Sequence, residues 1–365
     1  MHRLQASYRI RCTAAEIERR AAALAVEQSV EMPTAAIADQ RILEHIVGRV
    51  ESIEADGEAH FRVVLGLALD TTGFEAGQLM NMLFGNCSLQ PEVELLDVEL
   101  PPAALEGFGG PRFGIAGLRE RCGIATRRPL SCSALKPQGS SPEALAALAG
   151  ELAAAGIDIV KDDHGLADQV DAPFARRVVA VQRAIDAANR ATGHRCVYAP
   201  SLGGGPRRLR EQLRIAREAG VGMLMLAPMV SGLGALQELA EEGLPLLAHP
   251  ALGGATRIAP AALIGKLFRL AGADAVIFPN HGGRFSYTPQ TCRAIAEAAR
   301  APWGTLPAAL PVPAGGMTPA RVEEMVAFYG TDVMLLIGGA LLEADDLRSA
   351  AEAFVQRVHA AGETR

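Results

Sequence analysis

The chain lacks several features that would assign it quickly. No uninterrupted apolar run in its 365 residues reaches the length of a membrane span, and the opening MHRLQASYRIRCTAAEIERR has no apolar core of the kind a secretory leader needs. The expectation is a cytoplasmic protein with no membrane partner. Six cysteines, Cys12, Cys87, Cys122, Cys132, Cys196 and Cys292, stand singly without C-x-x-C spacing, which argues against a zinc knuckle or a disulfide framework. A long block of one charge sign is missing too: 35 Lys and Arg stand against 41 Asp and Glu, a net charge of −6, and nothing tracks a nucleic acid. A small molecule is the expected partner. The length suits a small domain followed by a barrel of about 250 residues.

What is present is a repeating pattern from about residue 130 onward. Short apolar runs, LSCSAL (130–135), IDIV (157–160), CVYA (196–199), GMLML (222–226), PLLA (245–248), AVIF (275–278), LPVP (310–313) and VMLLI (333–337), alternate with alanine-rich stretches of helical spacing. Several of those stretches open with Ser or Thr before Pro and close on Gly, as helix starts and stops do. Eight such units predict an α/β fold with a closed parallel (β/α)8 TIM barrel, because parallel neighbours need crossover helices. No glycine-rich dinucleotide fingerprint follows the first strand, against a doubly wound sheet. Residues 1–115 read as a separate N-terminal α+β, ferredoxin-like domain: LQASYRIRC and the halves of GRVESIEADGEAHFRVVLGLAL as strands, TAAEIERRAAALAVEQ and EAGQLMNMLFG as helices. The barrel domain is then 116–365, and Pro101 to Arg128 is a connection.

In such a barrel the chemistry sits on loops after the strands. Strand one runs into Lys136-Pro137-Gln138-Gly139, strand two into Lys161-Asp162-Asp163-His164, and strand five into His249-Pro250. Strand six runs into Pro279-Asn280-His281-Gly282-Gly283-Arg284, while strands seven and eight run into Gly315-Gly316 and Gly338-Gly339. A lone lysine or histidine after a strand is ordinarily a cap or a structural residue, but all these loops converge on one mouth. The glycine pairs suit a phosphate, whose oxygens accept from backbone N–H groups. Asp163 and His164 beside Lys161 suit a divalent metal such as magnesium. Lys136, taken as buried on the opposite rim, suits a general base.

PLSCSALKPQG followed by GIDIVKDDHG resembles the KPK and KDDE segments of the ribulose-bisphosphate carboxylase large-chain family. LAVEQS at Glu27, LFGNCS at Asn86, GPRFGI before the barrel, LLAHPAL at His249, VPAGGM at Gly315 and LLIGGA at Gly338 extend the resemblance over nearly the whole chain. It implies that Lys161 is carbamylated and holds one Mg2+ per site with Asp163 and His164, and that Lys136 enolises the substrate. Asn86 would reach the metal site, Glu27 would enter the mouth of a neighbouring subunit in a homodimer, and His249 would lie near the reacting carbons, with His164, His249 or His281 as the second acid or base that an isomerase needs. Gly315, Gly316, Gly338 and Gly339 would bind phosphate.

Three departures bear on the reaction. Gln138 replaces the second lysine of KPK, Pro250 replaces an arginine after the strand-five histidine, and PNHGGRFSY lacks the mobile lysine that carboxylation needs. The resemblance is therefore to the RuBisCO-like (form IV) members, acting on a monophosphate without fixing carbon dioxide. It implies an isomerase performing a 1,3-proton transfer on 5-methylthioribulose 1-phosphate, with a decarboxylase or transcarboxylase of a 3-oxo sugar-acid phosphate, using Arg284 for the carboxylate, as the alternative. An enolase of 2,3-diketo-5-methylthiopentyl 1-phosphate is a third outcome, disfavoured because His164 stands where those enzymes keep glutamate. A Schiff-base aldolase and a non-catalytic binding protein remain open. So does the role of His164, as metal ligand or as acid and base.

Overall fold

A computed structural model describes residues 2–285 and 287–363. Four antiparallel strands, β1 (Arg3–Arg11), β2 (Arg49–Ala55), β3 (His60–Ala68) and β4 (Val93–Glu99), form a sheet of order β2-β3-β1-β4. Alternation along β1 buries Leu4, Ala6, Tyr8 and Ile10. The buried Tyr8 hydroxyl donates to the Leu83 carbonyl over 2.7 Å, tying the sheet to the helix Ala76–Phe84. Strand β4 is absent from the sequence-based expectation because the alternation of VELLDVE breaks at Leu96, where its register against β1 shifts between the partners Leu95 and Asp97. It also joins the two halves of the molecule: Leu95 N–H donates to the Arg257 carbonyl at 2.9 Å and the Leu95 carbonyl accepts from Ala259 N–H at 2.8 Å.

The second sheet contains eight parallel strands, β5 (Leu130–Leu135), β6 (Ile159–Asp162), β7 (Val197–Ala199), β8 (Leu224–Leu226), β9 (Leu246–Ala248), β10 (Ala275–Pro279), β11 (Leu310–Ala314) and β12 (Met334–Ile337). Their order, β7-β6-β5-β12-β11-β10-β9-β8, follows the chain around a ring. The seam between β7 and β8 is closed by a bridge at Ser201 and Met225, where Met225 N–H donates to Pro200 and Leu202 N–H to Met225. All eight expected strands are present. Strand β6 is displaced from the expected 157–160, so Lys161 and Asp162 lie inside it rather than beyond its end.

The barrel interior is an apolar cluster that includes Leu130, Ile159, Met225, Leu247, Ile277 and Val312. The segment expected to be a connection plugs this interior from below. Its helix Gly114–Arg121 contributes Leu118, and Cys122 follows, both in the same cluster. Acidic residues just before the strands hold the plug. Asp274, before β10, accepts from Phe113 N–H and Gly114 N–H at 2.8 and 2.7 Å and from Leu246 N–H at 2.9 Å. Asp158, before β6, takes a two-pronged contact from Arg128 at 2.7 and 2.8 Å, and Asp332, before β12, pairs with Arg119 at 2.7 Å.

Asp274 is 1 % exposed, so its loss strands three backbone donors. Asp274→Ala is expected to lower unfolding free energy by roughly 2–4 kcal/mol in urea titrations, and Asp274→Asn by less, since unpaired buried donors cost about 1–3 kcal/mol each. Equal stability of wild type and Asp274→Ala would show that the plug is not held this way.

Candidate active site

The alternation of β6 sorts its two polar residues to opposite sides. Ile159 belongs to the interior cluster, so Lys161, two residues on, also points into the barrel, while Asp162 points outward to the helices. Lys161 is 3 % exposed, level with Ala134 of β5 and Ala199 of β7, and its ammonium donates to the Asp162 carbonyl over 2.9 Å. Burial lowers its pKa, and the Lys136 charge adds to that, against the raising influence of Cys132, Asp163 and Asp162.

Above Lys161 four further side chains meet. Lys136, just past β5, donates from Nζ to Asp163 Oδ2. Since β5 and β6 are neighbours, Lys136 stands beside Asp163 rather than across from it, and 42 % of its side chain is exposed, against the expected burial. Asp163 is 7 % exposed in its side chain; its Oδ1 accepts from Gly165 N–H at 3.0 Å and lies 3.3 Å from His164 Nδ1. Burial pushes this carboxylate up, yet the Lys136 and Gly165 hydrogen bonds and the two lysine charges bring its pKa down to about 2.

The rings of His164 and His249 stack with centroids 4.1 Å apart and planes within 11°, bringing the loops after β6 and β9 together across the mouth. Burial first, then the charges of Lys161 and His164, lower the His249 pKa to about 2. Burial also lowers that of His164, opposed by Asp163 and reinforced by Lys161, Lys136 and, least, Arg284. Both imidazoles are thus neutral at ordinary pH. His249 Nδ1 accepts from Ala251 N–H at 3.2 Å, which places its proton on Nε2.

The other expected residues fall in separate places. Gly315, with φ +92°, and Gly338 leave open space where a side chain would stand; Gly316, with φ +66°, packs on the backbone of Gly282 and Gly283. Gly339 opens a helix of only four residues, Gly339–Leu342. His281 is turned away from the cluster, its ring 4.8 Å from that of Phe328, with Arg321 donating to its carbonyl. Arg284 is exposed and lies over the Phe285 ring. Glu27 and Asn86 meet each other, Asn86 Nδ2 donating to Glu27 Oε1 at 2.9 Å.

Sequence reasoning missed what holds the Asp163 loop. Asp162 and Arg177 form an ion pair at 3.3 Å with both side chains wholly buried. Asp162 also accepts from the Tyr198 hydroxyl at 2.7 Å and from Ser201 N–H at 3.0 Å. Arg177, on the helix Phe174–Thr192, donates to the carbonyls of Ala167, Ala172 and Leu166 and so fastens the segment that follows His164. The available signal was a charged residue within an apolar stripe, because Arg177 shares its buried face with Val178, Val181 and Ile185. Gln138 is the other addition: its carboxamide lies over Gly165 so closely that a Cβ there would collide with it.

Arg177→Met is expected to cost about 3–5 kcal/mol in denaturant unfolding, because it leaves a buried carboxylate unpaired. Adding Asp162→Asn should recover part of that loss; additive losses in the double variant would contradict a direct coupling.

With this geometry in place, comparison with known proteins is informative. The model of the family described as "Ribulose bisphosphate carboxylase large chain, catalytic domain" matches residues 114–361. A "Ribulose bisphosphate carboxylase-like protein 1" from Rhodopseudomonas palustris is 56% identical over 346 residues, 94% of each chain. A "5-methylthioribulose-1-phosphate isomerase" from Rhodospirillum rubrum is 55% identical over 359 residues, 98% of this chain and 96% of that one. Among solved structures, a Rubisco-like protein from Rhodopseudomonas palustris superposes with a TM-score of 0.93 at 48% identity over 100% of both chains. The match of family, relatives and fold carries one conclusion: the chain belongs to the ribulose bisphosphate carboxylase large-chain family, as a RuBisCO-like protein.

Proposed function

We propose that this chain is a 5-methylthioribulose-1-phosphate isomerase that moves a proton between two carbons of its substrate and does not fix carbon dioxide. The observation that carries the proposal is the convergence of Lys136, Asp163, His164 and His249 above the buried Lys161. The name of the Rhodospirillum rubrum relative supports it. In this reading Lys136 Nζ takes a proton from the carbon beside the carbonyl, leaving an enediolate over the two carbons. An imidazole, His249 or His164, is the second acid–base group and relays a proton to the former carbonyl carbon. A second such exchange one carbon further along completes the net 1,3 transfer. His281, packed against Phe328, is the least suited of the three histidines.

The unmodified side chains do not by themselves make a metal site: among the described residues no group of three His, Cys, Asp or Glu is placed to hold an ion. Asp163 and His164 supply two donors, and Lys161 supplies a third once its amine carries a carbamate. That modification also replaces a buried cation beside Asp163 with an anion, so the donor set fits Mg2+, one per site. When bound, the ion supplies Lewis-acid polarisation of the substrate carbonyl. Gly315, Gly316, Gly338 and Gly339 are assigned to the phosphate, and the Glu27–Asn86 pair to the mouth of a second subunit in a homodimer. A decarboxylase reading draws on Arg284, whose charge reaches His164 and could hold a substrate carboxylate.

Incubated with 5-methylthioribulose 1-phosphate in heavy water, the enzyme should shift the substrate's proton spectrum or exchange deuterium into it; an unchanged spectrum would sink the isomerase. Lys136→Met should lower kcat by roughly 10²–10⁴ with its circular dichroism intact. Under 13C-labelled carbon dioxide and Mg2+, wild type should show a carbamate resonance that Lys161→Met lacks, and its absence in wild type would remove the carbamate from the scheme.

A further inference from the structure

Leucine at position 252 is unexplained by the fold and by the reaction. Its backbone is left-handed, φ +63° and ψ −1°, a region that costs a leucine about 1–2 kcal/mol and that glycine occupies freely. Two glycines, Gly253 and Gly254, follow immediately, so the loop places leucine, not glycine, where the strain falls. Burial does not offset that strain, because Leu252 is 59% exposed. The conformation is enforced by its neighbours: Gly253 N–H donates to Pro250 at 2.9 Å and Ala255 N–H to Leu252 at 3.0 Å. The same loop is tied to the site, since Ala251 N–H donates to His249 Nδ1 and Leu252 is the next residue.

Leu252 is not alone on the rim. Among the described residues the large apolar side chains left exposed include Val230, at 60%, in the segment after β8, the strand paired with β9 that Leu252 follows. Strained backbone concentrates where function over-determines it, and an apolar side chain held out at a catalytic mouth suits an apolar part of a ligand. The substrate named for the 55% identical relative has such a part, an alkylthio group at the end remote from its phosphate. We propose that Leu252, with Val230 on the neighbouring strand's loop, seats the methylthio end of the substrate and is the residue by which this enzyme prefers a methylthio sugar phosphate to its hydroxyl counterpart. This inference rests on the isomerase reading. The rim would act by excluding water from the sulfur-bearing end, while Lys136 and the histidines act on the carbonyl end.

The test compares kcat/KM for 5-methylthioribulose 1-phosphate and for ribulose 1-phosphate, which carries a hydroxyl in place of the methylthio group. Wild type, Leu252→Asn, Leu252→Gly and Leu252→Met are measured together with their sedimentation behaviour. Asn and Gly accept the left-handed backbone, so both variants should fold. The preference for the methylthio substrate should fall about tenfold or more in both, chiefly through KM, and Leu252→Met should keep it. Equal losses on both substrates, or an altered oligomeric state with the preference unchanged, would overturn the proposal and make Leu252 a structural or subunit contact. Wild type inactive on both substrates would overturn the isomerase reading and this inference with it, whereas an active wild type with unchanged preference in the variants would overturn this inference alone.

Discussion

The buried ion pair between Asp162 and Arg177 is the interaction on which the mouth of this barrel depends. Both side chains are wholly removed from water, so each charge is tolerable only because the other is there. The pair sits on the outer face of β6, and its guanidinium spends its remaining donors on the carbonyls of Leu166, Ala167 and Ala172. The loop after β6 therefore leaves the strand in one direction, and that direction sets Asp163 and His164 above the inward-facing Lys161. Two consecutive aspartates thus serve different ends. Asp162 holds the scaffold, and Asp163 faces Lys136 and His164.

The barrel divides its polar residues by end. Below, Asp158, Asp274 and Asp332 grip the segment 113–128 that closes the interior, and every one is paired with arginine or with backbone N–H groups. Above, charge is crowded: Lys136 donates to Asp163, the buried Lys161 turns to the Asp162 carbonyl, and the imidazoles of His164 and His249 stack on each other. Satisfied networks belong to stability, whereas groups whose protonation is displaced by burial and crowded charge belong to chemistry. The contrast explains why the sequence reading settled on the upper end, and why the lower aspartates drew no notice in the sequence.

Much of this architecture was legible before any coordinates. The period-2 runs and capped alanine-rich stretches are local signals, and eight of them in a row leave little topological choice. Strand β4 was not legible, because the extra residue Leu96, where its register against β1 shifts, puts two apolar residues in succession and breaks the alternation that marks a strand. The plug Gly114–Arg121 read as a connection because its few apolar side chains acquire a surface to cover only once the barrel has closed. Lys136 read as a buried base on the far rim; the neighbouring positions of β5 and β6 put it beside Asp163, and the open mouth leaves it exposed.

The sequence by itself determined the parallel barrel, the sheet domain before it, the family, and the residues carried on each loop. These follow from periodicity and from motifs that are contiguous in the chain. Which of those residues meet was decided only by the tertiary structure. Strand parity turned Lys161 inward and Asp162 outward, and ring closure stacked His164 on His249 across 85 residues of chain. The packing of His281 against Phe328 took it away from the cluster it had seemed to join. Contacts of that kind arise from the closed ring of strands, and no local pattern in the chain encodes them.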